Sequence, residues 1–167
     1  ERNGEKIGII GIVISRKTKM SSNPDDTTMF LDEVTTAQKY ADELNSQGVD
    51  RVILLSHYGY ENDLALAQKT SGIDIIVGGD SHSLLGDLSD LGLKPSGSYP
   101  TMVNDASGND VCVVTAWQYS QIVGELHAEF DGQGNITSCM GTPHMMLADS
   151  FKRKNADGER VEIASDY

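Results

Sequence analysis

No apolar run in this chain approaches the ~20 residues that a membrane-crossing helix needs, so the 167 residues contain no candidate span. Basic residues are scarce: 13 Lys and Arg stand against 25 Asp and Glu, for a net charge of −12. Such a chain lacks the basic face that holds nucleic-acid polymers or anionic membranes. A small anionic substrate remains compatible with it where a metal ion reverses the local charge. Cysteine is limited to Cys112 and Cys139. They form at most one disulfide and do not identify a compartment. Each sits in an apolar, strand-like context that suits a free buried thiol. No signal peptide opens the chain, which starts at Glu1 rather than at a methionine, as a processed or trimmed piece would. No internal repeat or low-complexity tract is present.

What is present suits one globular unit. Hydrophobic residues make up 38% and charged residues 23% of the sequence, ordinary values for a folded domain. A chain of this size buries about 70% of its unfolded surface. KIGIIGIVI (6–14) reads as a strand covered on both faces. Leu31, Val34, Ala37, Tyr40, Ala41 and Leu44 then share one helical face over 31–47, which Gly48 ends. RVILLS (51–56) is a second strand, ENDLALAQKTSG (61–72) a short helix and IDIIV (73–77) a third strand. Alternation with short connections implies parallel pairing through right-handed crossovers.

The second half differs. Residues 84–110 are rich in Gly, Ser and Asp and hold Pro95 and Pro100, the composition of a long surface excursion. DVCVVTAWQY and QIVGELHAEF read as two strands joined by a short turn, with Trp117 and Tyr119 as packing residues along the first. DGQGN (131–135) turns into a further strand near 136–140. The fold class is therefore α/β, a parallel βαβαβ unit followed by antiparallel hairpins. The stretch from Phe151 onward is mostly polar and reads as an arm or linker.

Open parallel sheets bind ligands beyond the carboxyl ends of their strands. One strand end delivers His57 and the next delivers Asp80 and His82, after Gly78 and Gly79. In an extended segment Asp80 and His82 point to one side, and imidazole and carboxylate are ligands for zinc, manganese or iron. Spacing alone leaves a metal corner, a polar turn and a G-D-S serine nucleophile as competing readings. For the last, Ser81 needs a histidine base and an acid. Positions three before His57, His82, His127 and His144 are Leu54, Gly79, Gly124 and Gly141, none acidic. His127 and His144 read as structural, and Ser81 as a turn residue.

VILLSHYGYENDLALAQKTSGIDIIVGGDSHSLLG (52–86) resembles the 5′-nucleotidase family of calcineurin-like metallophosphatases. The likeness lies in a strand ending L-S-H-x-G, a helix near E-N-D and a G-G-H-S-H-like loop, and continues through YPTMV, TAWQYSQIVGEL and DSFKRKNADGERVEI. It implies an αββα sandwich with two divalent metal ions (manganese, zinc, iron or magnesium) between its sheets. By position His57 and His82 match metal ligands, and Asp80 stands where the motif has its first histidine. The family's D-x-H, G-D and G-N-H-(E/D) motifs precede the matched region; residues 1–50 contain none of them, and no histidine precedes His57. The resemblance thus implies that residues 1–150 are the C-terminal half of a metallophosphatase domain. Residues 151–167 would be an arm toward an absent C-terminal substrate-binding domain. It implies a phosphoesterase acting on a small nucleotide, periplasmic or on the cell surface, and inactive as this fragment. A non-catalytic α/β binding module with a degenerate metal site is the alternative; a serine esterase fits less well.

Overall fold

A computed structural model of the chain describes residues 4–147, 151–155 and 157–163. β1 (Gly8–Val13), β2 (Val52–His57) and β3 (Ile75–Gly78) form a parallel set. α1 (Ser15–Ser21) and α2 (Glu33–Ser46) connect the first two strands, and α3 (Tyr60–Ala67) connects the next. α2 begins at Asp32, whose side chain accepts from the Thr35 amide at 2.9 Å and satisfies an otherwise orphan donor. Its buried face, Ala37 and Ala41, lies on Ile10, Val52 and Leu54, while Leu66 and Ala67 of α3 join the same core.

The sheet is completed by β5 (Asp110–Thr115), parallel to β3, and β4 (Thr101–Asn104), antiparallel to β5, in the order β1-β2-β3-β5-β4. The sequence reading differs here in two ways. β4 lies inside the stretch expected to be an excursion, and β5 does not form a hairpin with the strand that follows. Val111 through Thr115 are all buried, which requires an interior position in a sheet covered on both sides there. The next two strands, β6 (Ile122–Phe130) and β7 (Ile136–Met145), pair with each other in a separate antiparallel sheet. β8 (Phe151–Lys154) and β9 (Arg160–Ile163) form a small third hairpin. No helix among the described residues is long and apolar enough to cross a membrane.

The cysteines are not free thiols. Cys112 of β5 and Cys139 of β7 form a disulfide with Cα atoms 6.5 Å apart. Val111 and Val113 point into the helix-side core, so Cys112 points the other way, toward the hairpin. An apolar context records burial; it does not reveal that two buried thiols on separate strands meet.

The face of the sheet on which Cys112 lies is covered only in part. Ile9 is 65% exposed, Leu55 48% and Val13 44%. Beside them, a shallow groove lined by Gly11, Ile12, Val13, Met29, Phe30 and Leu31 follows the free edge of β1. The expectation that the first strand is covered on both faces is therefore not met within this chain.

The disulfide closes a loop across a sequence separation of 27 residues. Loop-closure entropy for that length is worth about 3–4 kcal/mol. Replacing both cysteines by alanine is expected to lower the unfolding free energy by this order in urea titrations. An unchanged midpoint would show that the hairpin is held by packing alone.

Candidate functional site

β2 and β3 run in register from Ile53↔Ile75 to Leu55↔Val77, so both deliver their next residues at one end of the sheet. His57 closes β2 on the same side as Leu55, the incompletely covered side, with Val13 of β1 level with it. Asp80 follows β3, and its Oδ1 lies 3.4 Å from His57 Nε2. A third group was not foreseen: Lys17 on α1 forms an ion pair with the same Asp80 oxygen. Asp80 is the buried member, with a side chain 10% exposed against 60% for His57 and 56% for Lys17.

The loop carrying Asp80 is not extended. The Ser81 amide donates to the Gly79 carbonyl at 3.0 Å across Asp80, whose φ is 75°. That is a γ-turn, a rare and strained conformation. His82 also has positive φ, 51°. The alternation that would turn Asp80 and His82 to one side therefore does not operate. His82 instead meets Tyr119 edge-on, ring centroids 5.1 Å apart at 66°. Ser81 holds the corner to α3: its hydroxyl accepts from the Tyr60 amide at 3.0 Å and lies 2.9 Å from Ser83 Oγ. No imidazole is among its partners, so the geometry gives no support to a serine nucleophile. Gly59 caps α3 at φ 96°, a conformation that favours glycine.

Beneath the corner lies Asp63, fully buried, with one oxygen accepting from the Ser56 hydroxyl and the other without a partner. A Cβ at Gly78 would come within 2.4 Å of that free oxygen, so β3 needs a glycine there. Asp63 thus fills the space between the ends of β2 and β3. Burial pushes its carboxyl up to about 6, against a smaller lowering by the Ser56 hydrogen bond. Asp74 at the opposite end is also raised to about 6 by burial, although it accepts from the Val52 amide at 2.6 Å.

His127 and His144 are exposed on the β6–β7 hairpin. Each ring places Nε2 2.8 Å from a different oxygen of Glu125. Those two hydrogen bonds hold the Glu125 carboxyl below its usual range.

The donor set fits part of a metal shell. His57 and Asp80 converge and are chemically suited to a divalent ion, but metals of this class take four or more ligands. Among the described residues no group of three or more His, Cys, Asp or Glu is placed to hold one. The remaining donors would have to come from elsewhere. Lys17 escaped the sequence reading because a lone lysine in a polar helix carries no spacing signal; Tyr119, expected as a packing residue along a strand, lies in the loop after β5 and is exposed. Asp63 had only its place in the helix pattern of ENDLALA, where an acidic residue falls on the buried face.

A mostly parallel α/β sheet with imidazole and carboxylate at adjoining strand ends, facing an uncovered side, is an architecture suited to metal-dependent chemistry. No family model matches the chain. It is 44% identical over 166 residues to a probable 5′-nucleotidase of Treponema pallidum, covering 98% of this chain and 28% of that protein. The solved structure of Haemophilus influenzae NAD nucleotidase superposes with a TM-score of 0.89 at 38% identity, covering 99% of this chain and 34% of that one. A 5′-nucleotidase precursor from Thermus thermophilus gives 0.82 at 43% identity, over 86% of this chain and 28% of that one. The chain belongs to the 5′-nucleotidase family of calcineurin-like metallophosphatases, and it spans about a third or less of the length of these relatives.

Asp63 sets a pH dependence. Its folded pKa, raised to about 6 from 3.8, means that the folded state holds the proton more tightly than the unfolded chain does. The associated stability is complete below about pH 4 and is lost as pH rises through 6, on the order of 2–3 kcal/mol. Asp63→Asn is expected to flatten this fall between pH 4 and 7 in denaturant titrations. An undiminished slope in that variant would assign the effect to Asp74.

Proposed function

We propose that residues 1–150 are the C-terminal half of the metallophosphatase domain of a dinuclear-metal phosphoesterase that hydrolyses nucleotides. Residues 151–167 would lead to a further substrate-binding domain. The observation that carries this reading is the convergence of His57 and Asp80 on the side of the sheet where Ile9, Val13 and Leu55 stand exposed. Parallel sheets are covered on both faces in folded proteins, so this side is where a second sheet with the remaining donors would lie. The substrate class is supported by the relatives, which bear the names 5′-nucleotidase and NAD nucleotidase.

Bound at such a corner, a divalent ion supplies a Lewis acid and a water of lowered pKa. The chain's own part is to hold and orient. His57 offers a ring nitrogen from the rigid end of β2, and Asp80 a nearly buried carboxylate fixed by its γ-turn. His82 offers both ring nitrogens from the same loop. Lys17 must release Asp80 Oδ1 for that oxygen to ligate, and its ammonium is then free for an anionic substrate. Asp80, in place of a histidine, adds negative charge and a harder oxygen donor, which bears on the choice among manganese, zinc, iron and magnesium.

The disulfide supports a location in an oxidising compartment, periplasmic or at the cell surface. The second reading, a non-catalytic binding module, is favoured by one observation: Lys17 already neutralises Asp80.

In the full-length protein, His57→Ala is expected to lower Mn²⁺-dependent hydrolysis of a nucleoside monophosphate more than about 100-fold, beyond the cost of losing an outer-shell partner, with Tm unchanged. Wild-type turnover in that variant would remove the proposed role of His57, whereas full-length protein without metal-dependent hydrolysis would favour the binding module. The 167-residue chain alone is expected to show no hydrolysis and only weak Mn²⁺ binding. Appreciable metal-dependent turnover by that chain would contradict the half-domain reading.

A further inference from the structure

Among the described residues, the non-glycine positions with positive φ are Asn23, Asp80, His82, Trp117, Tyr119 and Ser120. All but Asn23 fall in two loops, one after β3 and one after β5. These strands are parallel neighbours, so the loops leave the sheet at the same end. Left-handed backbone at residues with a Cβ is unfavourable and persists where surrounding structure imposes it, most often at functional sites.

The second loop makes the point most clearly. The Gln121 amide donates to the Gln118 carbonyl at 3.0 Å, closing a four-residue turn with Tyr119 and Ser120 at its centre, at φ 49° and 56°. Two consecutive positive φ values favour Asn and Gly, and neither is present. Both sides of the turn are anchored. Trp117 packs on the cluster of Leu84, Leu88, Leu91 and Ile122, and the Met146 amide donates to the Gln121 carbonyl at 2.9 Å. Tyr119 itself contributes little to any core, being 77% exposed, and its ring contact is with His82.

His82 makes no hydrogen bond to the described residues. Its aromatic contact is the edge-on one with Tyr119, and neither ring nitrogen has a hydrogen-bond partner among the described residues. We propose that Tyr119 is a positioning residue, held out on a strained turn so that its ring fixes the imidazole of His82 at the strand-end corner. A hydrogen-bonding neighbour would orient the imidazole equally well but would occupy one of the two nitrogens. An aromatic contact orients it and keeps both for a metal ion or a phosphate oxygen. This inference rests on the reading of the corner as a metal-dependent phosphoesterase site.

The test is a double-mutant cycle in the full-length protein with Tyr119→Ala, His82→Ala and their combination, plus Tyr119→Phe. In the metal-free state, selective ¹³C labelling of histidine reports the ring-current shift of His82; with Mn²⁺, kcat and KM are measured on a nucleoside monophosphate. Tyr119→Ala is expected to abolish the shift and to lower kcat by about tenfold with KM and Tm little changed, a loss confined to the transition state. Tyr119→Phe, which keeps the ring, restores both. In the His82→Ala background, removal of Tyr119 should cost nothing further, because the two residues act as one unit. An unaltered kcat in Tyr119→Ala, or a loss that adds fully to that of His82→Ala, overturns the positioning role while leaving the function standing. A wild-type protein with no metal-dependent hydrolysis overturns the function reading and takes this inference with it.

Discussion

In a parallel pair, strands that run level through their cores leave the sheet level as well. β2 and β3 do so from Ile53↔Ile75 to Leu55↔Val77, and the site follows from that register. His57 and Asp80 are 23 residues apart in sequence (80 − 57) yet come within 3.4 Å because α3 returns the chain to the same end of the sheet. Asp63 and Gly78 enforce the arrangement from below, since the buried carboxylate occupies the space that a larger residue on β3 would fill. A one-residue slip would turn His57 into the helix-side core and Ser56 out of it. The placement of His57 and Asp80 and the packing of the α3 side are thus one constraint.

The same sheet bears on the proposal that the chain is half of a larger domain. Its helix side is closed by Ala37, Ala41, Leu66 and Ala67. Its other side carries β-branched and leucine side chains into solvent, except where the β6–β7 hairpin is tied to β5 through Cys112 and Cys139. The strand-end histidine and carboxylate open onto that incompletely covered side. A second layer that covered Ile9 and Leu55 would also bring its own donors over His57 and Asp80. Within this chain the Lys17–Asp80 ion pair balances the charge of the corner.

Much of this was legible in the residues. The β-branched run at 6–14 contains the first observed parallel strand, those at 51–56 and 73–77 fall one residue short of the ends of the next two, and the helical face around Ala37 and Ala41 is the one that is buried. His57 and Asp80 could be placed at strand ends because their strands end where the apolar runs do. β4 was not legible, because a four-residue strand within Gly- and Ser-rich sequence gains its pairing from β5 rather than from its own propensity. The disulfide and the Lys17 contact are meetings between distant segments, which no local pattern encodes. His82 shows a different limit. Its relation to Asp80 depended on an extended backbone, and the γ-turn at Asp80 with positive φ at His82 removes that premise.

The central claim is that this segment supplies part of a dinuclear metal site through His57 and Asp80. Anomalous scattering at the manganese edge, from crystals of the full-length protein grown with Mn²⁺, tests it directly. The account predicts two peaks at the carboxyl ends of β2 and β3, with Asp80 released from Lys17 and His57 in the coordination shell. Peaks confined to other surfaces, or an Asp80 still paired with Lys17 beside an empty corner, would contradict it.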